Sequence, residues 1–205
     1  MSARWLIHMK DGKTLTDQDC FPHELNIMAE RGYSPEDITS VERLIKGRHL
    51  TIKKSKFIDT FFVASEEAVD VKMGGPHQAP PMVTKRMIGC YIKGTDPPLQ
   101  VRLTMDPRSF NTKLEFIRVE KISRTGISAK PVKPKKKGKL DVVYSREMIE
   151  SHYSIVKSED VDKFFTTPEG LSCFLKNPAI RAELIIRNQN VLLGFTNKGD
   201  ILQTQ

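Results

Sequence analysis

Three clusters hold residue types able to do chemistry. The densest is Asp17-Gln-Asp-Cys-Phe-Pro-His23-Glu24, where Cys20 and His23 make one pair of metal-ligand types. Zinc takes three or four protein ligands, commonly as two spaced pairs. The chain has no second Cys-x-x-Cys or His-x-x-x-His to complete a set, so Cys90, His49 or His77 would have to arrive through the tertiary fold. A polar turn before a helix started by Pro22 accounts for the same residues. Glu147, Glu150 and His152 form a possible acid–base group, but a helix would not bring i, i+3 and i+5 onto one face. Glu159, Asp160 and Asp162 suit the first turn of a helix, where the dipole favours acids.

Motifs that would commit the chain to a reaction are missing. There is no Gly-x-Ser-x-Gly elbow, no Gly-x-x-x-x-Gly-Lys-Ser/Thr loop and no His-Glu-x-x-His pair. The sequence therefore assigns no catalytic residue, no metal ligand and no cofactor. Met73, Met82, Met87 and Met105 read as packing residues. The doublets Phe61-Phe62 and Phe164-Phe165 should each place one ring on the core side of a strand and one on the other.

The strongest signal is charge. Lys130-Pro-Val-Lys-Pro-Lys-Lys-Lys-Gly-Lys139 holds six lysines and no acid. The formal charge of the whole chain is +8. Residues 1–120 net +2 and residues 141–205 net −2, so the excess sits in residues 121–140, whose eight basic residues face no acid. Those residues are Lys121, Arg124, Lys130, Lys133, Lys135, Lys136, Lys137 and Lys139. Mutual repulsion and two prolines favour an extended, solvated segment able to lie along a polyanion. No aromatic residue lies within 121–140, so base stacking is not expected there. Lys-Lys-Lys-Gly-Lys also resembles a nuclear-import signal, and a soluble linker is the plain alternative.

These features need elements to position them. Residues 3–10 read as a strand, Asp11-Gly12 as a hairpin turn, and Ile38 to Ile45 and Arg48 to Lys53 as strands across Lys46-Gly47. Further strands are expected at Phe57 to Val63, Lys85 to Lys93, Leu99 to Met105 and Lys113 to Glu120, with Gly74 to Pro81 as a loop. Beyond the basic segment, Ser145 to Val156 carries apolar residues at helical spacing. Ser158 and Thr167-Pro168-Glu169 look like helix starts, the second helix ending near Asn177-Pro178. A hairpin over Glu183 to Arg187 and Val191 to Thr196 and a last short strand follow.

The expected fold is thus α+β. A mainly antiparallel, barrel- or sandwich-like domain covers 1–122, a basic flexible linker 123–140, and a small helix-plus-hairpin unit 141–205. No apolar run is long enough for a spanning helix or a secretory core, and three scattered cysteines suit reduced thiols. Expected surroundings are a host cytoplasm or a virion, without secretion or membrane insertion.

Trp5-Leu-Ile-His-Met-Lys-Asp-Gly-Lys13, Ile38-Thr39-Ser40 and the Gly47-Arg48 turn resemble the opening of small β-rich accessory proteins of tailed phages. The resemblance covers about the first third of the chain and transfers no functional residue. It implies a phage accessory or structural protein. With the charge pattern, the expected role is non-enzymatic contact with nucleic acid or another polyanion through the eight basic residues. Two alternatives stand beside it. One is a self-assembling virion or scaffold component, a homo-oligomer or partner of virion proteins, with the linker as tether. The other is an enzyme or ligand-sequestering protein with a pocket in the β domain.

Overall fold

A computed structural model describes residues 5–16, 32–68, 84–121, 132, 143–148 and 151–202. Within these the chain is built from strands. They are β1 (Trp5–Met9), β2 (Thr14–Thr16), β3 (Ile38–Ile45), β4 (Arg48–Lys53), β5 (Ile58–Ala68), β6 (Thr84–Ile92) and β7 (Leu99–Met105). Then follow β8 (Thr112–Arg118), β9 (Val143–Met148), β10 (Ser151–Val156), β11 (Val161–Thr167), β12 (Gly170–Leu175), β13 (Ile180–Arg187) and β14 (Asn190–Asn197). The sole helical turn among the described residues is a short 3-10 turn at Pro35–Asp37.

Two sheets result. The larger runs β11-β12-β13-β14-β4-β3-β1-β2 and the smaller β5-β6-β7-β8-β10-β9. Neighbours are antiparallel except at two seams. β14 lies parallel to β4, with Val191 beside Leu50 and Leu193 beside Ile52, and β10 lies parallel to β8, with Tyr153 beside Thr112. Strands from before and after the basic segment therefore meet in both sheets.

The sheets pack face to face over one apolar core. Trp5, Ile7, Val41, Leu50, Ile52, Leu184 and Leu193 come from the larger sheet, and Ile88, Val101, Leu103, Leu114 and Ile155 from the smaller. Alternation explains this: β4 buries Arg48, Leu50 and Ile52 and half-exposes His49, Thr51 and Lys53. Phe61 joins this core, while Phe62 joins a second cluster with Met87, Tyr91 and Val119. The doublet thus divides between faces as expected, although both rings are buried.

The expected α+β class is overturned, because the helical unit after residue 140 is strand. Ser145 to Val156 forms β9 and β10, paired from Val143–Val156 to Met148–Ser151. Its apolar spacing also fits period two: Ser151, Tyr153 and Ile155 turn inward. Ser158 precedes β11, and Thr167-Pro168-Glu169 turns the β11–β12 hairpin. Cap-forming residues serve turns as well as helix starts, and the aromatic and β-branched content of "VDKFFTT" decides for a strand. The hairpin over Glu183 to Arg187 and Val191 to Thr196 is present, its turn residues Asn188 and Gln189 both at positive φ, 48° and 66°. Of the expected last short strand only Ile201 and Leu202 are described, and neither is in a strand; Leu202 packs over Gly194, and its N–H donates to Glu183 at 3.2 Å. The helix expected after Pro22 and the Gly74–Pro81 loop lie outside the described residues.

Arg118, at the end of β8, ties distant parts together. Its Nε and Nη2 donate to Asp160 Oδ1 at 2.9 and 2.6 Å, Nη1 to the Pro97 carbonyl at 2.7 Å, and Nη2 to the Asn177 carbonyl at 3.2 Å. Both charged side chains are mostly shielded, 21% and 16% exposed. Losing one partner of such a pair leaves the other charged and poorly solvated. Arg118→Ala should lower unfolding free energy by about 3 kcal/mol, read from a urea midpoint. Lys121→Gln, three residues on and exposed, should change it by less than about 0.5 kcal/mol.

Candidate functional site

Four strands place a polar network on the outer face of the larger sheet. β3 is flanked by β1 and β4, with Glu42 opposite Leu6 on one side and Thr51 on the other. His8 and His49 sit one diagonal step away and share that face. His8 Nε2–H donates to Glu42 Oε2, and His49 Nδ1–H donates to Oε1 at 2.7 Å. The Thr51 hydroxyl donates to Oε1 at 3.4 Å. The other ring nitrogen of His8, Nδ1, lies within hydrogen-bond distance of the Thr14 hydroxyl, at 3.2 Å. Hydrogen bonds therefore cross β2, β1, β3 and β4 in one line.

Glu42 is the shielded centre, its side chain 14% exposed against 35% for His8 and 39% for His49. Burial by itself would raise its carboxyl pKa. Hydrogen bonds and positive charge from His8 and His49 outweigh burial, and the net shift is downward. Hydroxyl–imidazole–carboxylate is the order that activates a nucleophile in some enzymes. Here Thr14 is exposed on a three-residue strand, and the imidazoles occupy the two carboxylate oxygens. Among the described residues, no group of three or more His, Cys, Asp or Glu could hold a metal ion. The network is best understood as a polar brace across the sheet.

Cys90 and Cys173 are free thiols in the core. Burial raises both, Cys173 to about 12, so neither supplies a thiolate near neutral pH. Cys20 and His23, with the rest of Asp17–Glu24, lie outside the described residues.

Glu147 and His152 do come together, although not on a helix: they are opposite partners across β9 and β10. Glu150 lies outside the described residues. Asp160 is committed to Arg118, and Asp162 lies 4.0 Å from Lys198. These acids are thus spread over different contacts rather than gathered on one helix start.

A cavity of about 400 Å³ opens where β9 and β10 approach the β13–β14 turn. Met148, Tyr153 and Ile186 form its apolar lining, and Asn188 and Gln189 supply its carboxamides. The Tyr153 phenol oxygen accepts a hydrogen bond from Ser151 at 2.8 Å. Sequence reading put the hairpin turn over Asn188-Gln189-Asn190, of which Asn190 instead begins β14, and placed Met148 on a helix, so it missed the cavity.

Of the eight basic residues, Lys121 alone is described, and it is exposed just beyond β8. Arg124, Lys130, Lys133, Lys135, Lys136, Lys137 and Lys139 lie outside the described residues. Val132 gives the segment one described anchor: its N–H donates to the Arg118 carbonyl at 2.9 Å. No helix among the described residues is long and apolar enough to cross a membrane.

Comparison with family models, curated proteins and solved structures returned no match.

The brace has a pH signature. A carboxyl with a depressed folded pKa stabilises the fold above its unfolded pKa and loses that contribution as pH falls through the folded value. Glu42→Gln should therefore destabilise the protein by about 2 kcal/mol at pH 7. The gap to the unmodified protein should narrow as pH falls through and below the ordinary carboxylate range, measured by denaturant midpoints at each pH.

Proposed function

We propose that this is a non-enzymatic binding protein that contacts nucleic acid, or another polyanion, through Lys121, Arg124, Lys130, Lys133, Lys135, Lys136, Lys137 and Lys139. One observation carries the reading: all of the +8 formal charge is matched in size by one twenty-residue segment, while the flanking parts nearly cancel. Two described points support a route for a partner. Lys121 is exposed, and the Val132 backbone is held at the end of β8 next to it. Lysines contacting phosphates release counterions and give affinity without reading bases. An accessory or structural role of the tailed-phage kind, in a host cytoplasm or virion, is the setting that the N-terminal resemblance suggests.

The second reading is self-assembly through a sheet edge, as a homo-oligomer or with virion proteins. It is favoured by β9, which among the described strands ends its sheet and pairs with β10 without a register shift. Such edges recruit further strands.

The dependence of binding on these charges is straightforward to measure. With about five lysines engaged, log K should fall against log[salt] with a slope near −3.5 for single strands and −4.5 for duplex. Changing Lys133, Lys135, Lys136 and Lys137 to Gln should reduce affinity and flatten that slope to near −1. Unchanged retention on nucleic acid and heparin would exclude the first reading. A solution mass fixed at 23.3 kDa over the working concentration range would exclude the second.

A further inference from the structure

The polyanion reading explains affinity but gives the β9–β13 cavity no role. The cavity has two features that phosphate binding does not need. Among the described residues its lining, Met148, Tyr153, Ile186, Asn188 and Gln189, carries no formal charge. It also combines an apolar floor with two side-chain amides, each offering a donor and an acceptor. At about 400 Å³ it falls in the lower part of the range for ligand sites.

Its place in the chain links it to the basic segment. β9 starts four residues after Lys139, and Met148 at the end of β9 lines the cavity. Six strand residues span roughly 20 Å. A strand gripped by the lysines and running along β9 would bring a base to the cavity mouth.

We propose that this cavity receives one unpaired base of a single-stranded nucleic acid, with Met148 and Ile186 against its face and Asn188 and Gln189 bonding its edge. The inference rests on the polyanion reading and narrows it to a single-stranded partner. Flat heterocycles with donor and acceptor edges match an apolar slot with carboxamides, as in other single-strand readers. A paired base presents neither its face nor its full edge, so duplex is disfavoured.

The test compares three probes on the full chain at one salt concentration: a ten-nucleotide single strand, an abasic strand of equal length, and heparin. The base-bearing strand should bind about tenfold tighter than the abasic one. Asn188→Gly with Gln189→Gly keeps a turn that tolerates positive φ and removes both amides. It should erase that tenfold difference while leaving heparin and abasic affinity unchanged. Ile186→Phe, which fills the floor, should do the same, and the turn variant decides the matter if the filled one does not fold. Equal affinity for base-bearing and abasic strands would overturn the base site and leave the lysine reading standing. A base preference that survives the turn variant would also overturn it. Failure of all three probes to bind would remove both ideas together.

Discussion

Two short parallel ladders hold this protein together. β14 against β4 and β10 against β8 each register over three residue pairs. Parallel neighbours cannot be joined by a tight turn, so both ladders join residues far apart in the chain. Everything after residue 142 depends on them, because they give β10 to β14 a place in sheets begun by earlier strands. Val191 beside Leu50 and Tyr153 beside Thr112 carry buried side chains at these seams. The Arg118–Asp160 pair then fixes the end of β8 to the chain just before β11.

The core also contains charge. Arg43 and Arg48 lie on the inward face of the larger sheet, 2% and 8% exposed. The Arg48 guanidinium stacks 3.5 Å from the Phe110 ring centroid, which links β4 to the β7–β8 turn across the two sheets. A planar, weakly hydrated guanidinium tolerates such a place better than an ammonium would.

Local signals made much of the fold legible. Asp11-Gly12, Lys46-Gly47 and Asn188-Gln189-Asn190 marked turns, where Gly12, Gly47 and Asn188 take the positive φ that such residues tolerate, and the alternating strands beside them followed. The part after residue 140 was misread because Ser158 and Thr167-Pro168 cap helices and turns with the same chemistry, and because β9–β10 has apolar spacing that fits both periods. Pairing register was the other loss. His8, Glu42 and His49 each fell on an expected strand, but only the β1–β3–β4 alignment puts two imidazoles on one carboxylate. The cavity was hidden for the same reason, since Met148 and Ile186 come from different sheets. The excess of lysine was plain from composition, whereas its anchorage through Val132 required coordinates.

The terminal strands differ in how well they would accept a newcomer. β2 has only three residues, β5 shifts register twice, and β11 shifts once. β9 is regular throughout. If two copies join through it, each uses on the other the one border, among the described strands, that is both longer than three residues and free of a register shift, and the pair has no comparable described border left to extend. Association by that route stops at a closed couple instead of growing into a fibre.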